Sequence, residues 1–244
     1  MKAPAITLKG SAKYGAVPVF GPLKFEALAG GWTCLLGSSG VGKSTILRLL
    51  AGLDAGVRFD GKISCSDGDA LAPRASLMLQ SDMLLPWLSV LQNVTLGARF
   101  RGEKPDQTRA TQLLNDVGLA GFAQRMPGTL SGGQRQRVAL ARTLMEDQPV
   151  MLLDEPFSAL DAKNRAAMQD LAARLFIGRT VILVTHDPYE AARLGAQIVV
   201  MTKAGLTVLK PPSSSSIRAH DSSEVMKFAA KLLHLLHDEM GAEQ

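Results

Sequence analysis

Cysteine is nearly absent. Cys34 and Cys65 are the two present in 244 residues, which excludes a disulfide scaffold and fits a reducing compartment. Aromatic residues make up 5%, and no basic, aromatic-interleaved surface is evident. RNA binding therefore has no support, and no nucleic-acid partner is expected. No stretch of 18 or more apolar residues exists, which excludes a transmembrane helix. The short apolar run at 3–8, broken by Pro4 and Thr7, lacks the length of a signal-peptide core. The chain is expected in the cytoplasm, and any work at a membrane needs another chain to supply the span. Charge of one sign is also missing in bulk. With 27 basic and 22 acidic residues the net charge is +5, and basic groups near a phosphate site account for part of that.

What is present is an ordinary globular mix, 46% hydrophobic and 20% charged. The length suits one to two domains at roughly 150 residues each. Gly21-Pro22 and Gly30-Gly31 read as turns between short strands. Residues 33–36 form a short apolar run ended by glycine, as in a buried strand. Further strands are expected at 62–65 (an edge), 75–79, 150–153 and 180–185, and a closing hairpin at 198–201 and 206–209. Helices are expected at 44–50, 89–100, 106–118, 131–147, 161–176 and 188–194, with Asp106 as an N-cap. Strands alternating with helices predict an α/β fold with a mostly parallel sheet. The strandless block within about 84–146 reads as a helical subdomain inserted into an α/β domain covering 1–210. Residues 211–244 read as a Ser/Pro linker followed by an amphipathic helix. The helix carries Val225, Phe228, Leu232, Leu235 and Leu236 on one face, for core packing or for a partner.

Three stretches carry chemistry. Gly37-Ser38-Ser39-Gly40-Val41-Gly42-Lys43-Ser44, followed by Thr45, matches G-x-x-x-x-G-K-[ST] at every position. Its glycines let successive backbone N–H groups face phosphate oxygens, and the following helix adds its positive end. Lys43 can reach the β- and γ-phosphates, and the Ser44 hydroxyl can ligate Mg²⁺. Next, the apolar strand at 150–153 ends in Asp154-Glu155, at the edge where α/β sheets bind ligands. Asp154 can hold Mg²⁺ directly or through water, and Glu155 can activate a water as general base. Adjacent acids repel, so at least one should pair with the metal. Finally, Leu130-Ser131-Gly132-Gly133-Gln134 opens a helix with Ser131 as N-cap and forms a second anion cradle. One nucleotide does not need two cradles, so the second suits a nucleotide held by another copy of the chain.

This combination resembles the nucleotide-binding subunit of ATP-binding cassette (ABC) transporters, over roughly 14–201. The resemblance implies a P-loop NTPase fold of the ABC type with an antiparallel β subdomain, and hydrolysis of ATP with Mg²⁺. It implies roles at matching positions. Gln80 senses Mg²⁺ and the membrane partner, Tyr14 stacks on adenine, and Asp161 in 158–161 lies at the dimer seam. His186 contacts the γ-phosphate and works with Glu155. The implied catalytic set is then Lys43, Gln80, Glu155 and His186, with Ser44, Gln80 and Asp154 at the metal. Two copies would close head to tail over ATP, each nucleotide lying between one phosphate loop and the other copy's 131–134.

Residues 81–90, with Leu84-Leu85-Pro86-Trp87, and 185–191 resemble the nitrate, sulfonate and taurine importer subfamily, which includes carriers of a thiamine pyrimidine precursor. The resemblance implies a peripheral subunit on the cytoplasmic side of the inner or plasma membrane. It implies integral permease subunits as partners and, indirectly, a substrate-binding protein outside. Leu84, Leu85 and Trp87, read as exposed, either receive a permease helix or pack locally. The competing reading is a soluble cassette ATPase for cofactor assembly, DNA or translation. DNA-acting relatives carry a long coiled coil between the two motifs, whereas 88 positions separate Lys43 from Ser131 here. Translation-factor relatives carry two cassettes, and this chain has one.

Overall fold

The computed structural model describes residues 3–241, with side chains described over 3–236. The chain forms two compact units, one of residues up to 75 with 149–154 and from 176 onward, the other of 76–148 with 155–175.

The first unit begins with β1 (Ile6–Tyr14) and β2 (Val17–Ala27), an antiparallel hairpin closed by a two-residue turn at Gly15-Ala16. Gly15 supplies the positive φ that such turns need. β3 (Trp32–Gly37) leads into α1 (Lys43–Leu50), and β4 (Arg58–Cys65) returns to pair with β1. The order β2-β1-β4 puts β4 on an edge, as expected, although it starts four residues earlier than 62. Gly21-Pro22 is not a turn. It lies within β2, which is the other edge of that sheet, where a residue without N–H leaves no ladder bond broken.

β6 (Val150–Asp154), β7 (Thr180–Val184), β8 (Gln197–Thr202) and β9 (Gly205–Leu209) join β3 in a sheet running β6-β7-β3-β8-β9. β6, β7, β3 and β8 are parallel, and β9 turns back antiparallel. Every residue of β3, β6 and β7 is buried. Both faces of these strands are covered, so they read as unbroken apolar runs rather than alternating ones. α1 buries Ile46, Leu47 and Leu50. α7 (Pro188–Leu194) spans the expected residues, and α8 (Ser223–Gly241) packs on it. Val225 and Leu232 of α8 are fully buried, as core packing requires, while Met226 and Leu233 face outward.

In the second unit, β5 (Ala75–Met78) runs into a loop, then α2 (Val90–Val94) and α3 (Leu96–Phe100). One helix was expected over 89–100. It breaks at Thr95, whose hydroxyl bonds back to Leu91 O at 3.0 Å and competes with the helix ladder. α4 (Gln107–Asp116) is capped by Asp106, which accepts from Arg109 N at 2.9 Å. α5 (Gly132–Met145) and α6 (Ala162–Leu175) complete the unit.

Candidate nucleotide site

Strand β3 ends at Gly37, where a Cβ would lie 2.2 Å from Met201 O of β8. Only glycine passes this strand, so the loop leaves the sheet at one fixed point. Gly42, with φ 110°, caps α1 in a conformation open to glycine. No acidic residue sits in α1's first turn, so the helix's positive end is not offset from within the helix. Lys43 is buried, and its ammonium donates to Gly37 O at 2.8 Å and Ser38 O at 2.7 Å. The cation is thus folded over the cradle, with Ser44 and Thr45 half-buried behind it.

Strand register brings further residues to this edge. Leu35 of β3 pairs with Val184 of β7, and Val184 with Asp154 of β6. The chain's departure toward the phosphate loop, the Asp154 carboxylate and the residues after Val184 therefore share one sheet end. Asp154 is 4% exposed. A buried carboxylate and a hydroxyl such as that of Ser44 are donor types that suit Mg²⁺, which takes one or two carboxylates and completes its shell with water and phosphate. Thr185 N donates to Leu35 O at 3.2 Å, and exposed His186 follows. Tyr14 lies at the end of β1 and is 68% exposed.

Glu155 belongs to the second unit. Its φ of +48° is a left-handed backbone rarely taken by glutamate. Such a conformation persists when its surroundings hold it, and here they do. Gln136, 4% exposed on α5, donates to Glu155 O at 3.1 Å and accepts from Ala159 N at 2.9 Å. The Ser158 hydroxyl donates to the same Glu155 O at 3.0 Å. The Glu155 carboxylate accepts from Gln80 Nε2 at 3.1 Å, so the two sequence-predicted residues meet. Gln136 was not singled out in the sequence. It lies in a polar basic stretch whose pattern says nothing of which side chain turns inward. Gln136→Ala leaves Ala159 N without its partner and is expected to cost about 1–3 kcal/mol. A wild-type urea midpoint would show that this amide holds nothing.

Ser131 caps α5 in a reciprocal box, Gln134 N donating to Ser131 Oγ at 3.3 Å and Ser131 N to Gln134 Oε1 at 2.9 Å. Gly132 is exposed, and a Cβ at Gly133 would crowd Ala159 O at 3.2 Å. The glycine thus also serves packing against 158–161. Asp161 caps α6, accepting from Asn164 N at 2.9 Å and Asn164 Nδ2 at 2.6 Å. These bonds hold its carboxyl below the usual aspartate range.

The loop after Gln80 is pinned rather than loose. Arg135 pairs with Asp82 at 2.9 Å, and Arg142 donates to Asp82 O at 2.7 Å and Met83 O at 2.8 Å. Asn93, fully buried, accepts from Leu85 N at 2.8 Å. With Met83 at φ 48°, the chain turns and carries Leu84 inward. Of the three apolar residues expected to be exposed, Leu84 is therefore buried and Leu85 half-buried, while Trp87 is 70% exposed.

These elements define a nucleotide-hydrolysing cassette, and comparison with known proteins agrees. Residues 20–158 match the ABC transporter family model. An uncharacterised ABC transporter ATP-binding protein of Haemophilus influenzae is 41% identical, covering 96% of this chain and 97% of the relative. The aliphatic sulfonates import ATP-binding protein SsuB 1 of Rhodococcus jostii is 46% identical, covering 80% of this chain and 78% of the relative. A solved dimeric ATP-binding cassette in a post-hydrolysis state with ADP and Pi superposes with a TM-score of 0.75 at 29% identity, covering 88% of this chain and 99% of that one. The chain belongs to the ABC transporter family. It is an ATP-binding, ATP-hydrolysing subunit of that family.

Proposed function

We propose that this chain powers import of a small molecule through a separate membrane permease, on whose cytoplasmic face it sits. Two copies close over two ATP–Mg²⁺. In each site one copy supplies residues 37–45 and Tyr14, and the other supplies Ser131 to Gln134 and Asp161. Ser44, Asp154 and Gln80 hold Mg²⁺, Glu155 activates water, and His186 contacts the γ-phosphate. The observation that carries this reading is the presence, on one chain, of two cradles at helix starts, one with Lys43 folded over it and one capped by Ser131. The γ-phosphate contacts exist only in the closed ATP state, which gives that state the differential binding energy a switch requires.

The names of the relatives favour import over a soluble role, and favour an aliphatic sulfonate as cargo. The cargo itself meets the permease and an external binding protein rather than this subunit. Trp87, exposed on a loop fixed from three sides, is the surface offered to the permease. Among the described residues no helix is long and apolar enough to cross a membrane.

The test is to tag the Glu155→Gln chain and purify it from solubilised membranes with ATP and Mg²⁺. A multi-span protein at stoichiometric yield is expected, and its binding-protein partner is expected to take an aliphatic sulfonate. Recovery with ribosomes, DNA or cluster-assembly proteins would move the reading to a soluble ATPase. Trp87→Ala is expected to leave the isolated ATPase active and to uncouple transport. Loss of basal ATPase would instead make Trp87 a packing residue.

A further inference from the structure

Residues 211–222 run as an irregular arm between β9 and α8 and take no part in the site described above. Two side-chain links tie this arm to α7, the helix that begins two residues after His186. Arg218 is 4% exposed. Its Nη1 donates to Ala192 O at 2.9 Å and Gly195 O at 2.8 Å, and its backbone N–H donates to Arg193 O at 3.0 Å. The last carbonyls of a helix have no intrahelical partner. A guanidinium there satisfies them and complements the negative helix end. The same side chain reaches Pro212 O at 3.0 Å and so ties down the start of the arm.

The second link is at the opposite end of α7. The Tyr189 hydroxyl donates to His220 O. Tyr189 lies in the first turn, where Asp187 caps the helix by accepting from Tyr189 N at 2.9 Å. Asp187 N in turn donates to Thr185 Oγ1 at 3.0 Å, and Thr185 N to Leu35 O on β3 at 3.2 Å. His186 therefore hangs between a fixed point on the sheet and a helix of 7 residues. A helix that short does not hold itself in place, because its few internal bonds barely offset its nucleation cost. Its position comes from what it packs on, and the arm grips both ends. The arm is fixed in turn by the buried Val225 and Leu232 of α8.

We propose that residues 211–222 are a brace that sets the position of α7, making Tyr189 and Arg218 positioning residues for His186. The inference rests on the reading of His186 as the residue that contacts the γ-phosphate. Tyr189→Phe removes one hydroxyl and keeps the ring, so the chain folds. Arg218→Lys keeps the charge but gives up the planar fork whose two terminal nitrogens reach the α7 carbonyls and Pro212 O separately.

The experiment uses the full chain with ¹⁵N-labelled histidines. There are 4 histidines, and the His186 ring signal is assigned by its loss in His186→Ala. Tyr189→Phe is expected to shift the His186 ring signal and leave that of His234, far along α8, in place. It is also expected to lower kcat for ATP hydrolysis by about fivefold to tenfold, with KM for ATP nearly unchanged. Arg218→Lys is expected to change both quantities in the same direction. A merely structural role would leave the ring signal in place. An unshifted His186 signal overturns the brace, as does a wild-type kcat in Tyr189→Phe when His186→Ala is inactive. If His186→Ala itself turns over ATP at the wild-type rate, the reading of His186 fails separately, and the ring signal alone decides the brace.

Discussion

Lys43→Ala is expected to abolish measurable ATP turnover and to weaken nucleotide binding by about a hundredfold, the loss of one or two charge-assisted hydrogen bonds. Lys43 is the buried cation of the cradle, and its two bonds to Gly37 O and Ser38 O lie within the loop itself. With phosphate present, the ammonium can exchange these carbonyls for anionic oxygens, and that exchange is the binding energy. Alanine removes both the charge and the side chain that spans the loop. Titration with a fluorescent ATP analogue measures the first effect, and phosphate release measures the second. Binding within threefold of wild type would show that the backbone N–H groups and the α1 dipole hold the phosphates without it.

Glu155→Gln is expected to have the opposite profile, with ATP binding retained and turnover lowered by about 10²–10⁴-fold, the usual worth of a general base. The substitution is nearly isosteric. The backbone at φ +48° stays clamped by Gln136 and Ser158, and Gln80 can still donate to the amide oxygen. What disappears is the capacity to accept a proton from water. ATP then persists, and the two-copy closed state should accumulate. Light scattering during size exclusion, with and without ATP, reads this directly. A hydrolysis rate near wild type would remove Glu155 from the base role, and a monomer that hydrolyses nothing would separate closure from chemistry.

The peptide bond between Asp154 and Glu155 marks a limit of sequence reading. The two acids are visible in the sequence at the end of an apolar strand. The left-handed turn that parts them was not visible, because nothing in Glu155 itself favours it. It is imposed by Gln136, 19 positions earlier on another element. Leu84 shows the same limit. An apolar Leu-Leu-Pro-Trp run does not say which residue faces inward. Asn93 on the next helix and Arg142, 59 positions beyond Met83, settle that Leu84 is buried and Trp87 exposed. Gly21-Pro22 fails for a related reason. Local chemistry favours a turn, but an edge strand tolerates the pair, and edge status is a property of the sheet.

By itself the sequence determined the phosphate loop, the strand that feeds it, the alternation that makes the sheet parallel, and the second cradle at Ser131. These depend on glycine φ freedom, helix capping and hydrophobic period, which act over a few residues. Tertiary structure alone decided which polar side chains do the holding. Lys43 folds onto its own loop, Gln136 clamps Glu155, and Arg218 caps α7 from an arm that composition marks only as a linker. Each satisfies backbone groups, Lys43 within its own loop and Gln136 and Arg218 on another segment, and such pairings can be read only once the chain is folded.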